Sequence, residues 1–274
     1  MINIHNHTDI HLYLQQVKTF LSEKPSENNL SLGILYARQD TTAEENEYFI
    51  SGMKKDQVIF TIIKTHHNFI IAGSVEYIDQ ISDYLFNHNI RIPCIIGGKN
   101  LAIALARRYC SLSKKSWEIT MEQMVYRITK LKAIQSSEGV LHIATEADLP
   151  LVARWLCLFC KEVLDFMTEE QSLDFAKKGI AEKSIYLWKT TENVAMVKSA
   201  RPADKGIVVN FVYTPVEHRG HGYATSVVHQ LSSILLESYE FCSLFTDAKN
   251  PTSNAIYTKI GYEKVGDAAV VKIV

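Results

Sequence analysis

The chain has 274 residues, 47% of them hydrophobic, with 29 Lys and Arg set against 30 Asp and Glu. That apolar content fills real cores and excludes long disorder, while the near balance of charge excludes an electrostatic footprint for nucleic acid or an anionic membrane. No apolar run approaches about 20 residues, so no membrane-spanning helix is predicted, and the polar, His-rich segment Met1 to Asp9 lacks the basic-then-apolar order of a signal peptide. Five cysteines without a regular framework point to a reducing compartment, hence the cytoplasm.

Ile10, Leu12, Leu14, Val17, Phe20 and Leu21 recur at helical spacing behind a cap at Thr8 or Asp9, and Pro25 ends the run. His5, His7, Asp9 and His11 alternate ahead of it; a frayed polar terminus is expected there, and no metal. A second short helix through Tyr36 precedes strands at Glu47 to Ile50, Val58 to Lys64 and Asn68 to Ile71. Ile78 to Phe86 reads as helix, Ile92 to Ile96 as a buried strand, Leu101 to Tyr109 as helix, and Met124 to Ile128 as strand. Ile95-Ile96-Gly97-Gly98-Lys99-Asn100 fails as a nucleotide loop, because Asn100 replaces the hydroxyl residue and Pro93 stands where the first glycine belongs.

Ser136-Ser137-Glu138-Gly139 is the best boundary, which divides the chain into domains 1–137 and 138–274. Beyond it Val140 to Ala144 is a strand, and Thr145 with Asp148 forms a capping pair before a helix through Phe166. Cys157-x-x-Cys160 lies on that helix with no second pair, so buried structural thiols are expected. Thr168 to Glu182 is a second helix, Ile185 to Trp188 and Val194 to Ala200 a hairpin, and Ile207 to Tyr213 a strand stopped by Pro215. A helix follows from His221, then a strand at Phe241 to Asp247, and Asp267 to Val274 closes the sheet.

Between the strand ending at Tyr213 and the next helix lies Arg219-Gly220-His221-Gly222-Tyr223-Ala224. Small residues at a helix start leave unpaired amides approachable at the positive end of the helix dipole, so the expected guest is a phosphate or pyrophosphate. Glycines also open helices for steric reasons alone. Arg219-x-x-Gly222-x-Ala224 resembles the R/Q-x-x-G-x-G/A signature of the GNAT superfamily of N-acetyltransferases. Asn250, Ser253, Tyr257, Gly261 and Tyr262 fall in register with that family's closing segment, and Ala144-Thr145-x-x-Asp148-Leu149 resembles its start. The resemblance covers about residues 140 to 274 and implies an α/β (α+β) fold, a mixed, mostly antiparallel twisted sheet flanked by helices, preceded here by a second α/β domain. Strand, Gly-rich turn and helix around Gly97 repeat the order at 208 to 236, so the N-terminal half is read as a degenerate, non-catalytic GNAT-like copy that binds no CoA.

The resemblance further implies acetyl-CoA as acyl donor, with its pyrophosphate on the amides of Gly220, His221, Gly222, Tyr223, Ala224 and Thr225 and with Arg219 adding charge. The pantetheine arm is expected beside the backbone of Val212, Tyr213 and Thr214, whose strand amides would stabilise an oxyanion. Tyr257 takes the place of the general acid or is a packed aromatic, and Asn250 and Ser253 orient the pantetheine or cap the last helix. Glu162 is the first choice of base or a surface carboxylate, with Glu217 and a water chain as other options. His218 and His221 face cofactor or solvent, and Phe159, Phe166 and Trp188 line an acceptor pocket or belong to the core. The expected reaction is attack of a small-molecule or peptide amine on the thioester in a ternary complex, by a monomer or homodimer. The opposing reading is a non-catalytic acyl-CoA sensor or scaffold.

Overall fold

The computed structural model of the chain describes residues 2–66, 69–163 and 167–274. Asn68 and Phe166, named above for a strand start and a pocket wall, lie outside the described residues. Two compact units result: Met1–Tyr126 with Phe245–Asn250 and Lys264–Val274, and Arg127–Leu244 with Pro251–Glu263. The expected cut at 137/138 is contiguous in sequence, whereas the first unit takes back two late segments of chain.

In chain order the elements are β1 (Asn3–His7), α1 (Ile10–Ser22), α2 (Asn29–Arg38), β2 (Tyr48–Lys54), β3 (Gln57–Lys64), β4 (Phe69–Gly73), α3 (Ile78–Asn87), β5 (Cys94–Gly98), α4 (Lys99–Ser113) and β6 (Trp117–Ile128). The same order then recurs as β7 (Val140–Ile143), α5 (Leu149–Glu162), α6 (Glu169–Ala181), β8 (Ile185–Lys189), β9 (Asn193–Ala203), β10 (Gly206–Tyr213), α7 (Tyr223–Leu235), β11 (Phe241–Asp247), α8 (Pro251–Ile260) and β12 (Glu263–Ile273). Chain order therefore makes β4 and α3, rather than β5 and α4, the counterpart of β10 and α7. The comparison drawn from Gly97 is one strand out, because β5 and α4 correspond to β11 and α8.

In the first unit the sheet runs β1–β2–β3–β4–β5–β12–β6, antiparallel except between β4 and β5 among the pairs with a defined register. The terminus expected to fray is a strand, since Asn3 to His7 pair with Met53 to Phe49 and the His7 imidazole Nε2 sits 2.9 Å from the Ser51 hydroxyl. Asp9 caps α1 by accepting from the Leu12 amide at 3.0 Å, as one of the two expected caps. Tyr13 takes the inward place assigned to Leu12, which is 57% exposed, and its hydroxyl lies 3.1 Å from the carbonyls of Ile50 and Ile62.

The last strand does not close the sheet of the second unit. Ala268, Ala269, Val270, Val271 and Lys272 pair antiparallel with Gly98, Gly97, Ile96, Ile95 and Cys94. Small residues face small residues at that end, and Ala269, Val271 and Ile273 join Ile71, Ile95 and Leu105 in the core of the first unit.

In the second unit the sheet runs β11–β10–β9–β8–β7. Thr145 and Asp148 form the expected capping box, and Thr168 with Gln171 forms another at the start of α6. Val152, Trp155 and Leu156 of α5 pack with Ala176 and Ile180 of α6 over Leu187, Met196 and Tyr213. Cys157 and Cys160 are buried and form no disulfide. No described helix is long and apolar enough to cross a membrane.

Deleting Ala268–Val274 removes Ala269, Val271 and Ile273 from the first core, a loss of about 3 kcal/mol or more of apolar burial. Limited proteolysis should then cut within residues 2–126 faster than in the full chain; equal rates would show that β12 contributes nothing to that unit.

Candidate functional site

β10 pairs antiparallel with β9 from Gly206 opposite Ala203 to Tyr213 opposite Met196. On its other side it pairs with β11 in parallel only at Gly206, Ile207 and Val208, opposite Phe241, Cys242 and Ser243. From Val209 onward that edge has left β11, and its main-chain groups are open to an added strand-like partner. A register shift between Asn210 and Tyr213 marks a bulge, with Phe211 at φ 49°. Bulges bend a strand and re-aim side chains, and this one turns Phe211 onto Phe159 and Phe175, with ring centroids 5.2 and 5.0 Å away.

Pro215 ends the strand, and one short helical turn over Val216–His218 carries the chain to Arg219. Gly220 and Gly222 both take left-handed backbone, φ 85° and 79°. A methyl group at Gly220 would meet nothing within 4 Å, so the approach to its amide is open. At Gly222 it would stand 2.8 Å from the Ser137 hydroxyl oxygen. Ser137 holds the turn twice: its hydroxyl donates to the His221 carbonyl at 2.7 Å, and its amide donates to the Ser226 hydroxyl at 2.8 Å. Sequence reasoning took Ser136 to Gly139 for a linker, and its small polar composition gave no sign of this clamp.

The first amide of α7 bonded back along the chain is that of Ser226, which donates to the Gly222 carbonyl at 3.1 Å. The amides of Tyr223, Ala224 and Thr225 precede it without intrahelical acceptors, and no acidic side chain stands in that first turn. His221 Nδ1 donates to the Arg219 carbonyl at 2.9 Å, and its ring stacks on Tyr223. The residues fit an anion of pyrophosphate type: unpaired amides, a positive helix end and free space over Gly220.

Arg219 is already engaged. Its Nε donates to the Thr214 carbonyl at 2.9 Å, and its Nη2 donates to both carboxylate oxygens of Glu162 at 2.7 and 2.8 Å. The side chains are 46% and 45% exposed, so the pair contributes at most about 1 kcal/mol. Its consequence is geometric, because it joins the last residue of α5 to the end of β10 and to the glycine turn. Three expected site residues, Glu162, Thr214 and Arg219, thus meet, with Gly220 to Thr225 following on the same turn.

The others are placed differently. Tyr213 turns its ring into the α5 and α6 core beside Trp155 and Phe159, where burial and then the Glu162 charge raise its phenol above the ordinary range. Only its main chain faces the open edge. Val212 is half-buried, and Ser253 lies half-buried in the first turn of α8. Tyr257 is buried on α8, edge-on to Tyr262 at 5.9 Å, and burial pushes its phenol well above the usual value. Asn250 falls in the first unit, its amide donating to the Asp247 carbonyl at 3.1 Å. Trp188 is core, with its indole donating to the Glu138 carbonyl at 3.1 Å.

The counterpart turn between β4 and α3 is built otherwise. Ser74 caps it by accepting from the Glu76 amide at 3.3 Å, and Glu76 and Asp79 bring negative charge to the helix start. An anion meets an occupied amide and two carboxylates there.

Left-handed backbone costs an L-residue about 1 kcal/mol, so Gly220→Ala and Gly222→Ala should both lower stability, Gly222→Ala more because only its methyl meets Ser137. Urea unfolding midpoints check the order; equal losses would mean that the Ser137 clamp yields without cost.

Residues 189–271 match the FR47-like protein family. No curated protein matches the chain in sequence. Among solved structures, a GCN5-related N-acetyltransferase from Sphaerobacter thermophilus is similar with TM-score 0.68 at 10% identity, over 98% of this chain and 95% of that one. A GNAT-family acetyltransferase from Colwellia psychrerythraea gives 0.59 at 10% identity, over 99% and 98%. A tandem GNAT protein from the clavulanic acid biosynthesis pathway gives 0.55 at 8% identity, over 100% and 98%. With its element order repeated along the chain, the protein has the fold of the GNAT acetyltransferases, and residues 189–271 carry the pattern of the FR47-like family.

Proposed function

We propose that the protein is an N-acetyltransferase that moves the acetyl group of acetyl-CoA to a primary amine within a ternary complex. The observation that carries this reading is the conjunction of an open β10 edge after Val208 with the unpaired amides at the start of α7. Acetyl-CoA, when bound, supplies an activated thioester. The amides from Gly220 to Thr225 hold its diphosphate, with Arg219 beside them as a neighbouring positive charge. The main chain of Val212 to Thr214 carries the pantetheine arm, and an amide of that open edge stabilises negative charge on the acyl oxygen, a contribution of about 3 to 4 kcal/mol where such donors have been removed elsewhere. Ser253 borders that arm.

Glu162 takes the proton of the incoming ammonium, at the end of α5 where the weak pair with Arg219 yields an oxygen. Tyr257 gives its proton to the departing thiolate; burial keeps that phenol protonated at neutral pH. The acceptor is a small-molecule or peptide amine. Five cysteines outside any disulfide, four of them buried, suit a reducing compartment such as the cytoplasm. The N-terminal domain is non-catalytic, since Ser74, Glu76 and Asp79 occupy the seat of an anion.

A second reading, an acyl-CoA sensor without turnover, draws support from one observation: both oxygens of Glu162 are held by Arg219. Calorimetric titration with CoA, followed by thiol release from acetyl-CoA over a panel of primary amines, decides between them. The expected result is one CoA per chain and release with at least one amine. Uptake without release favours the sensor, and no uptake at millimolar CoA removes both. Tyr257→Phe should lower kcat about 100-fold with CoA affinity unchanged; wild-type turnover across pH would take the acid role from Tyr257.

A further inference from the structure

β10 and the residue just beyond it carry two buried polar atoms with no hydrogen-bond partner among the described residues, Asn210 Oδ1 and Thr214 Oγ1. A buried acceptor without a partner forfeits the bonds it made to water, and proteins confine that loss to few places, functional sites among them. These two atoms bracket the bulge, on the stretch where β10 has left β11.

Asn210 pairs across the ladder with Lys198 of β9 and so shares its face of the sheet. The Lys198 ammonium does not satisfy Asn210: it donates to the Ser184 hydroxyl, lies 3.8 Å from Glu182 and stands 5.5 Å from the centre of the Phe175 ring. Phe175 in turn touches Phe211, which touches Phe159, and all three rings are only partly buried. The unpaired carbonyl oxygen thus belongs to a residue on the sheet face where Lys198 approaches the Phe175 ring. Such an oxygen only accepts, so its missing partner carries N–H or O–H; a carboxylate or phosphate would be repelled.

We propose that Asn210 positions the acceptor: its Oδ1 accepts a hydrogen bond from the primary amine of a substrate whose apolar or aryl skeleton packs on Phe159, Phe175 and Phe211. The proposal rests on the acyl-transfer reading above and names its substrate class. Asn210 performs no proton transfer. It fixes the nitrogen beside the strand that carries the thioester, and orientation of this kind is a large part of rate acceleration.

The test uses the full chain, with 2-phenylethylamine and ethanolamine as acceptors. Asn210→Leu keeps the branched shape of the side chain and deletes the orphaned oxygen. Its melting temperature should equal or exceed that of the wild type, while KM for 2-phenylethylamine rises about tenfold or more and CoA affinity is unchanged. Asn210→Asp keeps acceptor oxygens and should hold KM near the wild-type value. A lowered melting temperature in Asn210→Leu with unchanged KM would make the amide structural and overturn the proposal. So would equal loss of amine affinity in both variants, preference of the wild type for ethanolamine, or CoA binding with acetylation of neither amine. Failure of the wild type to bind CoA at all marks a different fault, that of the acyl-transfer reading.

Discussion

β10 and β11 run in parallel for three residue pairs and then part, and this divergence governs the second unit. A parallel ladder that continued to Tyr213 would consume the amides and carbonyls that now line an edge. The bulge at Asn210–Tyr213 keeps β10 bonded to β9 while bending it, so the strand reaches Pro215 without its other partner. Everything that gives the site its character follows between Phe211 and Thr225: the aromatic contacts of Phe211, the carbonyl of Thr214, the Arg219 fork, the two left-handed glycines and the bare first turn of α7. Two apolar faces fix those pieces in space, that of α5 and α6 over Met196 and Tyr213, and that of α7 through Val227, Val228 and Leu231.

Charge is distributed sparingly around this junction. Arg219 and Glu162 neutralise each other across half-exposed surface, where Coulomb energy is small and side-chain ordering offsets much of it. A pair of this kind does little for stability, yet it sets which atoms face one another. Arg219 bonds a main-chain carbonyl and a carboxylate at the same time, and a lysine, with its single point of charge, would not reproduce that fork.

Much of the fold was legible because strands and helices alternate with strong apolar patterning, from the run Val208 to Tyr213 to the α7 stripe. Both capping partners at Thr145 and Asp148 were readable from their spacing. What stayed hidden depends on tertiary partners. β1 is polar, and only its pairing with β2 makes it a strand. Ser137 looks like any linker serine until the turn at His221 is placed beside it. The bulge leaves no compositional trace, so Asn210 and Phe211 read as ordinary strand residues. The Glu162–Arg219 contact spans 57 residues of chain, and no local pattern announces it. The glycine turn was legible for the opposite reason, since its conformation depends on residues adjacent in sequence.

The pairing of β12 with β5 spans most of the polypeptide, bringing Val271 beside Ile95. Contacts of such long sequence separation form late, because the intervening chain must be closed into a loop first. On the ribosome the strand that completes the first unit emerges only after the residues of the second. Until β12 has been made, β5 offers a bare edge to the crowded cell, and arrival of that strand is the event that covers it.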